Sequence, residues 1–151
     1  MIKQGLFVTV AACLWLVATA SAQNPSSTSP AIGGYSPVSY FTENRAERGS
    51  AEFAVEHNGS VYFLTSQAQV ALFLEAPDKY RPLHKSCPYS LALGMVTPLD
   101  PTNFKIVGGS LLLFHKSEEK DALFEWNNDE LGEEELLRRA NANATLFEVN
   151  F

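Results

Sequence analysis

The sequence predicts an α+β fold, a small antiparallel sheet built from two β-hairpins with a short helix between them and C-terminal helices after them. Three observations predict it. Two apolar, alternating stretches double back on two-residue turns, Asn58-Gly59 and Gly108-Gly109, which suit the positive φ angles of tight hairpins. Between the hairpins, Ser66 followed by Gln69 reads as a capping box that opens a helix. After His115 the apolar spacing changes from two to between three and four, as it does on a helix with one buried face.

The first hairpin, AEFAVEHNGSVYFLTS, sets Phe53 and Val55 on one face against Glu52, Ala54 and Glu56 on the other, with Val61 and Phe63 alternating in the return strand. The helix that follows carries Val70, Phe73 and Leu74 on its apolar side and ends at Pro77. Arg81 to Tyr89 has no period and reads as a loop, and residues 90 to 94 suit one turn of helix. The second hairpin pairs 104–107 with 111–115; its return strand is apolar almost throughout, so it is expected to be central or covered on both faces. Ser117 is the expected cap of a helix with Glu118 and Glu119 in its first turn and Ala122, Leu123 and Trp126 inward. Gly132 breaks that helix. A second one, 133 to about 143, places Leu136, Leu137 and Ala140 on one side.

The chain opens on an address. Lys3, an apolar run from Leu6 to Ala18 and the small residues Ala20-Ser21-Ala22 compose a secretory signal peptide over residues 1–22. The run is shorter than the about 20 residues a membrane span requires. Val10-Ala11-Ala12-Cys13 offers a rival lipoprotein box, but Leu14-Trp15-Leu16-Val17 beyond it is unlike a polar tether. A Ser- and Pro-rich leader over 23–31 then joins the address to one domain, 32–151, and localisation is expected to be periplasmic or secreted. The net charge is −6, and loss of Lys3 with the signal makes the exported chain one unit more negative. That balance excludes nucleic acid and anionic lipid as partners, because nothing offsets the repulsion of phosphate.

The series Gly34-Tyr35-Ser36-Pro37-Val38-Ser39-Tyr40-Phe41, then Gly49 to Phe53, Asn58-Gly59, Tyr62-Phe63, Phe73 and Pro77-Asp78-Lys79-Tyr80, resembles the YHS domain in its exported single-domain bacterial form. The likeness runs from about Ile32 to Trp126. It brings a metal role into consideration. Relatives attached to metal-transporting ATPases carry paired cysteines after the first hairpin; here those positions are Leu64-Thr65-Ser66-Gln67-Ala68, which supply no thiolate. In exported relatives a glycine-rich segment leads into a cysteine in the later loop, where this chain has His84-Lys85-Ser86-Cys87.

Export leaves Cys87 as the one cysteine, so no intramolecular disulfide can form. His84 and Cys87, three residues apart, could share a soft ion such as copper or zinc, and Met95 could add a thioether. His57 and His115 join them only if the fold brings them near. The competing account is a loop histidine beside a buried core thiol. Paired carboxylates, a phosphate-binding glycine loop and a serine elbow are missing as motifs, so the expected role is not enzymatic. Three functions follow in order of preference: a binding module for a metal ion or small molecule at the His84/Cys87 loop, an interaction or structural protein docking on a periplasmic partner, and a thiol-redox protein.

Overall fold

A computed structural model describes residues 29–150; the expected signal peptide, Cys13 and positions 23–28 of the leader lie outside the described residues. The fold is α+β. Strands β1 (Ser50–His57) and β2 (Ser60–Leu64) form one antiparallel hairpin, and β3 (Phe104–Val107) and β4 (Ser110–Leu113) form another, each as its own two-stranded sheet. A one-turn helix α1 (Ser39–Thr42) precedes the first hairpin. Helices α2 (Gln67–Glu75), α3 (Pro77–Tyr80) and α4 (Pro88–Ala92) lie between the hairpins, and α5 (Ala122–Asn128) and α6 (Gly132–Leu146) follow the second. Among the described residues no helix is long and apolar enough to cross a membrane.

Both hairpins close as their turns dictate. Asn58 and Gly59 have φ of 49° and 74°, and Gly108 and Gly109 have 56° and 82°, the left-handed pair that matches strand twist. The first turn sets Val55 opposite Tyr62 and Ala54 opposite Phe63. Tyr62 and Leu64 are therefore the buried residues of β2, while Val61 and Phe63, the pair singled out by alternation, lie half-buried on the other face. All four are apolar or aromatic, so the strand has two faces that composition cannot rank; the partner register decides. Past Ala54 the ladder is irregular, resuming at Ser50 opposite Leu64.

Ser66 caps α2 by accepting from the Gln69 N–H at 3.3 Å, but the reciprocal half of the box is redirected. The Gln69 side chain is buried, and its Oε1 accepts from the Thr65 N–H (3.1 Å) and from the Ser36 hydroxyl (2.6 Å), tying the helix to the opening segment. Phe73 is fully buried as expected and Val70 partly so, whereas Leu74 is 59% exposed. Pro77 both follows the end of α2 and starts α3, where its missing N–H costs nothing. Downstream, Asp121 rather than Ser117 caps α5, accepting from the N–H groups of Leu123 and Phe124. Ser117 instead closes a tight turn with Lys120, leaving Glu118 and Glu119 exposed ahead of the helix. Lys116 pairs with the Asp121 carboxylate at 3.0 Å and Asn103 donates to it at 3.0 Å, a set of partners Ser117 does not have.

Two apolar clusters meet at β4. Leu111 and Leu113 face a cluster of Val38, Tyr40, Tyr62, Leu64, Phe73 and Tyr80. Leu112 and Phe114, the residue just past the strand, face Cys87, Leu91, Trp126, Leu136, Ala140 and Ala144, the core shared by α4, α5 and α6. Strand β4 is thus covered on both faces, as its composition requires. Trp126 donates its indole N–H to Glu133, which also pairs with Lys105 of β3, so α5, α6 and the second hairpin are bound at one carboxylate.

Gly49 presses on the partner strand. A Cβ there would fall on the Phe63 carbonyl and 2.7 Å from the Phe63 Cβ, while the Gly49 N–H donates to Gly34 at 2.9 Å. Gly49→Ala must therefore push β2 away from the incoming chain, and it should lower stability by about 1–3 kcal/mol, the range seen for overpacking. The midpoint of urea unfolding reads this out; an unchanged midpoint would mean that the strands separate without cost.

Candidate metal-binding loop

The loop carrying His84 and Cys87 is held on three sides. Leu83 donates its N–H to Leu111 of β4 at 2.9 Å, and Lys85 donates to Val149 at 2.6 Å, with His84 bridged to Asn150. Ser86 and Thr97 clasp each other: the Ser86 hydroxyl donates to the Thr97 carbonyl (2.7 Å) and accepts from the Thr97 N–H (2.9 Å). The Cys87 N–H also donates to that carbonyl, at 3.0 Å. Pro88 then begins α4 at its first position, so the helix starts two residues earlier than the sequence suggests and ends at Ala92, ahead of Gly94 with φ of 77°.

His84 is 3% exposed. Its Nε2 lies 2.8 Å from Oδ1 of Asn141 on α6; an amide oxygen only accepts, so Nε2 carries the proton and donates. In the neutral ring Nδ1 is then a bare lone pair. It is buried and has no hydrogen-bond partner among the described residues. Burial lowers the pKa of this histidine, the desolvation of a charged ring outweighing the opposing hydrogen bond to Asn141.

Cys87 is 0% exposed and belongs to the α4–α5–α6 core, beside the partly buried Leu83 and Tyr89. Because His84 Nε2 is committed to Asn141 and Nδ1 has no partner, the imidazole makes no hydrogen bond to the thiol. The third residue of the expected set behaves differently. Met95 is 47% exposed, in the turn after α4, with its N–H bonded to Ser90 at 2.8 Å. The other histidines have separate partners: His57 lies 3.5 Å from Asp78 and packs edge-on to Phe73, and His115 Nδ1 donates to the Pro98 carbonyl at 3.1 Å. No group of three or more His, Cys, Asp or Glu is placed to hold a metal ion among the described residues.

The chemistry available is therefore that of one oriented imidazole lone pair and one buried thiol. Asn141, which fixes the ring, carried no signal in the sequence; it is one of several polar residues on α6 and stands 57 positions away. Comparison with protein-family models, with curated proteins and with solved structures finds no match.

The sign of the pH effect is fixed by the depressed His84 pKa. The unfolded chain takes up a proton near the ordinary value of 6.5 and the folded chain only at lower pH, so stability is full above 6.5 and falls on acidification below it. His84→Gln, which keeps a donor toward Asn141, should flatten that part of the profile. Unfolding midpoints measured from pH 7.5 down to about pH 5 test this, and identical slopes in the two proteins would remove His84 as the cause.

Proposed function

We propose that the chain is an exported, non-catalytic binding module of the YHS type that holds one soft metal ion, copper ahead of zinc, at the His84–Cys87 loop. The bare Nδ1 of His84 carries the reading. An unpaired acceptor inside a protein costs about 1–3 kcal/mol, and an imidazole whose other nitrogen is fixed by a hydrogen bond is the usual arrangement around a metal ligand.

In this reading Nδ1 supplies one donor, and Cys87, whose proton the incoming ion displaces, supplies a thiolate. Asn141 keeps the ring turned so that the lone pair, not the N–H, faces the ion. The ion is cargo to be retained, not a reactant. Copper ranks ahead of zinc because a structural zinc asks for four ligands, and no group of three or more His, Cys, Asp or Glu is placed to hold an ion among the described residues. Met95, half exposed, is not needed as a third donor in this reading. The export half of the reading rests on residues 1–22, and the YHS half on the opening and closing motifs quoted above.

Two alternatives are weaker on the same observations. Nucleophilic catalysis needs a base hydrogen-bonded to the thiol, and the imidazole is turned elsewhere. Thiol exchange needs access for a whole attacking thiol, bulkier than a bare ion, and Cys87 has no exposed surface.

Anaerobic titration with Cu(I) against a chromophoric chelator tests the proposal. Wild type should take up one ion, Cys87→Ala and His84→Gln should lose it, and Asn141→Ala should bind about 10–100-fold more weakly, the loss expected of a group that orients a ligand. Met95→Leu should bind as wild type. Uptake that survives both Cys87→Ala and His84→Gln, or no uptake at all, would sink the reading; thermal unfolding of each variant separates lost binding from lost fold.

A further inference from the structure

Between α4, α5 and the start of α6 the chain carries an open groove of about 660 Å³, whose lining includes neither His84 nor Cys87. Its apolar surface comes from three elements: Leu93 at the end of α4, Phe124 on the outer face of α5, and Leu131 just ahead of α6. All three are exposed, Phe124 to 67%. Helix α5 has inward residues in Ala122 and Trp126, so Phe124 is not a displaced core residue. It stands outside a core that is already complete.

The charged residues of the groove are of mainly one sign. Glu125, Asp129 and Glu130 line it against a single cation, Lys120, which lies 3.3 Å from Glu125. Asp129 is the most firmly held. Its Oδ2 accepts from the Tyr89 hydroxyl at 2.9 Å and its Oδ1 from the Leu131 N–H at 2.9 Å. Burial and this hydrogen bond push the Tyr89 pKa up to about 12, so the phenol remains a donor that holds the carboxylate in place. Glu125 Oε2 has no hydrogen-bond partner among the described residues, despite the nearby lysine.

We propose that this groove, bounded by Leu93, Phe124 and Leu131 and edged by Glu125, Asp129 and Glu130, docks a basic segment of a partner protein that inserts one aliphatic or aromatic side chain. The apolar trio supplies a seat for the anchor, and the excess of carboxylates supplies the acceptors for flanking lysine or arginine. An arginine suits the oriented Asp129 carboxylate best, because a planar fork matches a fixed carboxylate. Charge complementarity excludes an acidic partner and a nucleic acid, and a second copy of this acidic chain would bring like charge to like. The affinity would rest on the single anchor, and the carboxylates would set association rate and salt dependence.

A random-peptide display library selected against the purified protein tests the proposal. The enriched peptides should carry lysine or arginine beside one large apolar residue, and should perturb backbone amide resonances of α5 and of residues 129–131. Phe124→Ala should weaken the best of them about tenfold or more, as truncation at an anchor contact does. The double variant Glu125→Gln, Glu130→Gln should reduce the salt dependence of binding. Phe124 is exposed, Glu130 has no hydrogen bond or ion pair among the described residues, and the Lys120–Glu125 pair is partly exposed and so contributes little, so these variants should unfold close to the wild-type temperature. Peptides that are acidic or lack an apolar anchor, binding unaltered by Phe124→Ala, resonance changes elsewhere, or no enrichment would each overturn the proposal. So would concentration-dependent dimerisation with the groove resonances perturbed, which would make the occupant a second copy. None of these readouts involves His84 or Cys87, so metal uptake and peptide binding stand or fall separately.

Discussion

A single apolar strand with no face turned to water governs the arrangement of the molecule. Residues 111 to 114 alternate between two cores: Leu111 and Leu113 belong to the one built by the first hairpin and α2, Leu112 and Phe114 to the one built by α4, α5 and α6. Because side chains on a strand alternate strictly, slipping the β3–β4 register by one residue would send every one of these side chains into the wrong core. The Gly108-Gly109 turn prevents that slip by fixing Val107 opposite Ser110 and Phe104 opposite Leu113. Neither two-stranded sheet could stand alone in water. Each is stable because β4 presents it, directly or through the core, with a second layer.

Where the sequence could be read, a local rule had no competitor. Asn58-Gly59 and Gly108-Gly109 admit few other conformations, and the run Leu111-Leu112-Leu113-Phe114 can only be enclosed. Where the reading and the structure part, two local choices were nearly equal and distant residues chose between them. Val61 and Phe63 are as apolar as Tyr62 and Leu64; the pairing of Val55 with Tyr62 decides. Ser117 and Asp121 are both good caps, and Lys116 with Asn103, the latter 18 positions from Asp121, favours the aspartate. Leu74 looks as fit for the core as Phe73, but the buried polar position on α2 went to Gln69, whose partner Ser36 lies 33 residues upstream.

The candidate loop shows the same division. His84 and Cys87 were legible as residue types at a spacing, while their surroundings were not. The sequence does not say that the ring is clamped by Asn141 or that one of its nitrogens is bare, since each depends on α6 packing against α4. The groove was less legible still. Phe124 is out of phase with the buried stripe of its own helix, and only the proximity of Leu93 and Leu131 gives it company.

The strap that holds the loop also has a consequence in time. His84 and Cys87 emerge from the ribosome well before Asn141, Val149 and Asn150, the residues that orient the ring and hydrogen-bond its neighbours. Until those last residues have been synthesised and docked, the imidazole is free to rotate and its proton can sit on either nitrogen. Under the proposed metal role, the half-made chain offers a loose thiol and an unoriented ring to any ion it meets, and selectivity begins only with the closing of α6. Under the proposed export, a chain that crosses a membrane unfolded would postpone that moment to the far side, and the compartment in which α6 docks would be the one whose ions the loop meets in its finished form.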